Sequence, residues 1–129
     1  MKRCKTILLA TLLFVAPAPK PASAWGLEQR CIKYEPLMVR YAPKDGWNVR
    51  RMSYYMWRES RCTPTVRSRT RDSGLLQIND VNLPWLSSKL HRRITPAALM
   101  DPITNVQAAA RLCEYGRKAW GNCYQPWGS

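Results

Sequence analysis

The stretch MWRESRCTPTVRSRTRDSGLLQIND, Met56 to Asp80, decides how the chain folds. It begins inside a helical pattern: Val49, Met52, Met56 and Glu59 fall at i, i+3, i+7 and i+10, one stripe of a 3.6-residue period. Asn48 supplies an N-cap before that stripe, and Pro64 marks where the helix must have ended. Residues 65–79 change period. Val66, Ser68 and Thr70 alternate with arginines, Asp72-Ser73-Gly74 is a turn signal, and Leu75-Leu76-Gln77-Ile78-Asn79 follows. This predicts a small hairpin beside the end of a helix. Two acids, Glu59 and Asp72, stand at either end of the crossing between them.

Working outward, Leu37-Met38-Val39 predicts a short helix opening near Pro36, and Pro43 to Gly46 a turn. Val81 to Leu90 and Pro96 to Met100 read as short helices or turns. Asp101-Pro102 opens a longer helix, with Asp as N-cap and Pro at the first helical position. Its apolar positions are Ile103, Val106, Ala110 and Cys113, and Gly116 is the expected terminator. Helices surrounding one hairpin make an α+β domain, mostly helical.

The 129 residues suit one domain. Residues 1–24 read as a signal peptide: Lys2, Arg3 and Lys5, an apolar run from Ile7 to Ala16, and Ala22-Ser23-Ala24 as the cleavage site. The run is half the roughly 20 residues that span a bilayer, so no stable membrane anchor is expected. The domain would then be 25–129, secreted to the cell envelope or beyond. It holds 17 Lys and Arg against 8 Asp and Glu, a net charge of +9. That balance favours anionic partners, wall polymers among them. Nucleic acid is not expected, because no zinc-finger spacing, phosphate loop or RNA-binding aromatic signature is present.

Cys31, Cys62, Cys113 and Cys123 form an even set in a small secreted domain, a disulfide framework with three possible connectivities. The expected pairs are Cys31–Cys62, which ties the N-terminal segment to the helix end, and Cys113–Cys123, which closes a short loop. The cysteine spacings are wide and His91, read as a surface residue, is the only histidine, so no metal or other cofactor is implied.

Glu59 lies on the apolar stripe of its helix, where a structural glutamate would pair with an arginine such as Arg58 or Arg61. It also lies in the last turn, where the helix dipole disfavours a second negative charge and favours the proton-carrying acid. A carboxylic acid held in that form is the requirement for general-acid cleavage of a glycosidic bond.

Taken together, Glu59-Ser60 at a helix end, Asp72-Ser73-Gly74-Leu75-Leu76-Gln77-Ile78-Asn79, and Met100-Asp101-Pro102-Ile103-Thr104-Asn105-Val106-Gln107 resemble the lysozyme superfamily. The hairpin strand is close to that of c-type lysozymes; the Glu-Ser pair and the Asp-Pro-Ile-Thr-Asn helix are similar to lytic transglycosylases. The match runs from about Asn48 to Trp127. The resemblance implies a lysozyme-like fold that cuts the β-1,4 bond between N-acetylmuramic acid and N-acetylglucosamine in peptidoglycan. Glu59 matches the general acid and Asp72 the second carboxylate. Ser60 ties the helix end to the hairpin and is counted with Gln77, Asn79, Trp120 and Trp127 as substrate-binding. Trp85 and Tyr124 are further candidates for a sugar-stacking wall, and Arg67, Arg69 and Arg71 for attraction of an anionic wall. Asn105 matches a family asparagine that supports the cleft by packing.

The segment between Glu59 and Asp72 is shorter than in c-type enzymes, so Asp72 is either catalytic or a turn cap. Those options correspond to hydrolysis and to transglycosylation. A glycan-binding relative without activity is the alternative from another class, and the joint presence of Glu59, Asp72, Gln77 and Asn79 argues against it. A monomer is expected.

Overall fold

The computed structural model describes residues 30–128, so the signal-peptide reading lies outside the described residues. Helices α1 (Glu35–Arg40), α2 (Val49–Ser60), α3 (Leu83–Lys89) and α4 (Pro102–Trp120) surround one small antiparallel sheet, β1 (Asp72–Ser73) with β2 (Ile78–Asn79). Single 3-10 turns lead into α1, α3 and α4 and close the tail at Gln125–Trp127. The architecture is the mostly helical α+β fold that the sequence pattern predicts.

Local chemistry sets the start of α2. The Asn48 side chain accepts the Arg51 N–H at 2.9 Å, and Met52, Tyr55 and Met56 face the core. Its end is set by the backbone before Pro64 is reached. Arg61 and Cys62 adopt left-handed conformations, φ 53° and 57°, and the Arg61 N–H returns to the Trp57 carbonyl at 2.9 Å. Two such residues in succession persist only where the surroundings hold them. The Cys31–Cys62 disulfide fixes this corner; the second bridge, Cys113–Cys123, ties the end of α4 to the tail.

Helix α4 is capped as read. Asp101 Oδ2 accepts from the Thr104 N–H and hydroxyl at 2.9 and 2.8 Å, with Pro102 at the first position. Two details differ from the sequence reading. Ile103 is exposed, and the buried face runs instead through Thr104, Asn105, Val106 and Ala108 to Cys113 and Gly116. Gly116 does not end the helix, which continues to Trp120 and stops at Gly121 with φ 69°. A Cβ at Gly116 would stand 2.7 Å from the Asn122 carbonyl oxygen, so this glycine admits the returning tail.

The hairpin also departs from its predicted form. Asp72-Ser73 is β1 itself, not the turn, and residues 74–77 make the turn. The alternating 65–71 segment is a loop with a single bridge, Arg67 to Ser73. The Ser68 hydroxyl captures both the N–H and the carboxylate of Asp72, a local alternative to a ladder.

Leu75 and Leu76, at the tip of the turn, are fully buried. A buried turn needs partners for its backbone, and three elements supply them. The Ser60 hydroxyl donates to the Leu75 carbonyl at 2.7 Å, and the Trp127 indole N–H to the Leu76 carbonyl at 3.0 Å. The Asn105 amide accepts the Leu76 N–H at 2.9 Å and donates to the Ser73 and Leu99 carbonyls. Asn105→Leu, similar in volume, is therefore expected to destabilise by about 3 kcal/mol or more, because it leaves several buried polar groups unpaired. Chemical denaturation of the variant against wild type measures it.

Candidate active site

The register of the sheet builds the site. Asp72 pairs with Asn79 and Ser73 with Ile78. Side chains alternate across a strand, so Ser73 and Ile78 go to the core while Asp72 and Asn79 share the open face. Asn79 Nδ2 donates to Asp72 Oδ1 at 2.9 Å and to the Thr70 carbonyl at 2.8 Å, and its Oδ1 caps the next turn by accepting the Val81 N–H. Asp72 Oδ2 accepts from the hydroxyls of Ser68, at 2.7 Å, and Thr70.

Partial burial raises the Asp72 pKa, but the hydrogen bonds from Thr70, Ser68 and Asn79 outweigh it and hold the carboxyl below the ordinary carboxylate range. A folded-state pKa below the unfolded value of about 3.9 gives stability that is present above that value and lost as pH falls through the folded one. The difference in urea midpoint between wild type and Asp72→Asn should thus be largest near neutrality and shrink as pH falls below about 4. Asp80, hydrogen-bonded by Arg67 at 2.7 and 3.0 Å, is shifted in the same direction by those bonds. Arg67 is thereby committed to the hairpin, whereas Arg69 and Arg71 are exposed beside it.

A cleft of about 230 Å³ opens over this face. Asp72, Gln77 and Asn79 line one side, and Leu112, Tyr115, Trp120 and Trp127 the other. Of the two tryptophans, Trp120 is 56% exposed, while Trp127 is 7% exposed, held by its bond to Leu76. Gln77 borders the cleft, yet its Nε2 donates to the Val66 and Gly74 carbonyls. Tyr124 is structural: it stacks on Tyr55 at 5.8 Å, and its hydroxyl accepts the Asn48 N–H. Ser60 is 5% exposed, and its hydroxyl, bonded to the Met56 and Leu75 carbonyls, holds the end of α2 against the hairpin.

Glu59 is partly exposed at that same helix end but does not line the cleft. Its Oε1 accepts from Arg58 Nε and Nη2 at 3.0 and 2.7 Å. Arg58 Nη2 also donates to the Trp127 carbonyl, and its guanidinium lies over the Tyr55 ring at 4.7 Å. The arginine therefore connects the acid to the tail whose tryptophan borders the cleft. Glu59 Oε2 has no hydrogen bond among the described residues.

The sequence reading passed over Tyr115 and Asn82, which complete the cleft wall. A signal for Tyr115 was available: it follows Leu112 by three residues on α4, and so continues the face that meets the hairpin. Among the described residues no cluster of His, Cys, Asp and Glu has the makings of a metal site, and no helix is long and apolar enough to cross a membrane.

A family model described as the transglycosylase SLT domain matches residues 38–128, from α1 through the tail. No curated protein matches the chain.

Proposed function

The chain belongs to the transglycosylase SLT domain family, and on that premise we propose that it cuts the MurNAc-β-1,4-GlcNAc bond of peptidoglycan by hydrolysis, as a muramidase. The enzyme class itself, a glycoside hydrolase or lytic transglycosylase acting on peptidoglycan strands, comes with the family. Glu59 gives a proton from Oε2 to the leaving oxygen as the glycosidic bond breaks. Arg58 receives the resulting carboxylate on the other oxygen. Asp72, ionised, faces the oxocarbenium-like centre, and Glu59 then takes a proton from the water that completes hydrolysis. Lysozyme is the type case of this chemistry, which the resemblance implies for Glu59 and Asp72.

The observation that supports hydrolysis is Asp72: a carboxylate held in its charged form on the open face of the hairpin, lining the cleft beside Gln77 and Asn79. The family match favours a second reading. There, Glu59 returns as base for the substrate's own hydroxyl and releases an anhydro sugar, and Asp72 serves only to hold its turn. Digestion of peptidoglycan in isotopically labelled water separates them. Muropeptides with reducing ends that carry one labelled oxygen are expected; anhydro products would establish the second reading. The paired disulfides support action outside the reducing cytoplasm, in the envelope or beyond.

A further inference from the structure

The cleft does not end at Trp120. Tyr115 lines it and also lines a second, larger cavity of about 590 Å³. A smaller hollow, bounded by Asn82, Trp85, Leu112 and Tyr115, joins the two. The three make one groove over α4. A row of aromatic rings runs along it: Tyr115 meets Trp120 edge to face at 5.3 Å and Trp85 at 5.7 Å. Tyr115 and Trp120 are about half exposed, although the core is closed without them. Contiguous exposed aromatics of this kind mark a binding surface.

The far end of the groove is cationic. Lys89, Lys118 and Arg111 border it with a single acid, Glu114. Glu114 is already engaged, by Arg111 at 3.0 Å and by the Lys44 N–H at 3.3 Å. Lys89 and Lys118 form no ion pair among the described residues. Two positive charges without a carboxylate partner therefore stand beside a ring row suited to sugars, with the Lys89 ammonium 5.9 Å from the Trp85 ring.

We propose that this groove receives the glycan strand beyond the bond to be cut, and that Lys89 and Lys118 bind the free carboxylates of its peptide stems. The inference rests on the peptidoglycan reading and names the part of that substrate the enzyme selects. Trp120, Tyr115 and Trp85 supply stacking surface for successive sugars. The sugar backbone is uncharged where the muramyl carboxyl is linked to peptide, so the negative charge that complements the lysines belongs to the stems. Arg111, whose planar fork would suit a phosphodiester, is occupied by Glu114; Lys89 and Lys118, which have no carboxylate partner among the described residues, are point charges that pair with carboxylates in any geometry. A strand with charged stems is thus preferred over a neutral one of the same sugars.

Both lysines lie in the last turns of their helices and also offset those dipoles. Loss of stability is therefore no test, and the readout is substrate selectivity. Soluble peptidoglycan fragments free of phosphate polymers are compared with the same fragments after their stem carboxylates are converted to amides. For the full chain, amidation is expected to raise KM about 3- to 10-fold, the range for two exposed ion pairs. Lys89→Gln with Lys118→Gln should raise KM on the untreated fragments by a similar factor, leave kcat within about two-fold, and show no further loss on amidation. Trp120→Ala, whose ring meets Tyr115 and neither lysine, should weaken both substrates alike. Equal KM values for the two substrates in wild type would overturn the proposal. So would a double variant that keeps the preference, or one impaired only on walls carrying phosphate polymers. If wild type releases no fragments from either substrate, the peptidoglycan reading itself has failed, a result distinct from loss of preference.

Discussion

Replacing Glu59 by glutamine is expected to lower turnover on peptidoglycan by about 10²–10⁴-fold, the range for loss of a general acid or base. The amide keeps the shape of the side chain and has no proton to give. Its carbonyl oxygen can still accept from Arg58, so the contact to the Trp127 carbonyl is retained through the same guanidinium. Fold and binding should therefore survive, with an unchanged melting profile and glycan still retained on a pull-down. The helix end is secured independently by Ser60 and the Cys31–Cys62 bridge. A variant that folds and keeps more than a tenth of wild-type turnover would remove Glu59 from the mechanism.

Asp72→Asn is the second large effect, and it separates the two chemistries. Under hydrolysis the carboxylate faces developing positive charge. Preorganised electrostatic groups of that kind are worth roughly 10²–10³ in rate, and a loss of that size in kcat is expected. Asparagine can keep the Asn79 contact and the hydroxyl partners, since hydroxyls both donate and accept. The hairpin should therefore persist. Under transglycosylation Asp72 only holds a turn, and asparagine, another good turn former, would leave kcat nearly unchanged. Stopped digestions with product masses report both quantities in one experiment.

The parts of the fold legible in the sequence are those whose causes are local. Asn48 and Asp101-Pro102 begin their helices because a cap needs only the N–H groups three residues on. The Cys113–Cys123 pair is short enough to be read from spacing. Gly116 departs from the expected terminator for the opposite reason: it answers to a carbonyl six residues later, brought close only when the tail folds back. The hairpin lies in the stretch that the pattern predicts, but its turn falls at residues 74–77 rather than at 72–74. Alternation in residues 65–71 reads as a strand until Ser68 and Thr70 find Asp72.

The candidate site divides in the same way. By itself the sequence determined the family resemblance, the chemical types, and Glu59 at a helix end beside a Gly-Leu-Leu-Gln-Ile-Asn hairpin, because these depend on residue identity and short spacing. Only the tertiary structure decided that Asp72 and Asn79 share an open face, that Trp127 is held by Leu76 while Trp120 stands out, and that Tyr115 joins the cleft to a second cavity. It also decided which atom Ser60 uses to tie the helix end to the hairpin: its hydroxyl satisfies the Leu75 carbonyl on a buried turn fifteen residues away. Each of these outcomes depends on which side of a strand or ring is covered by another element. Coverage is set by packing between segments distant in the chain, and no local pattern encodes it.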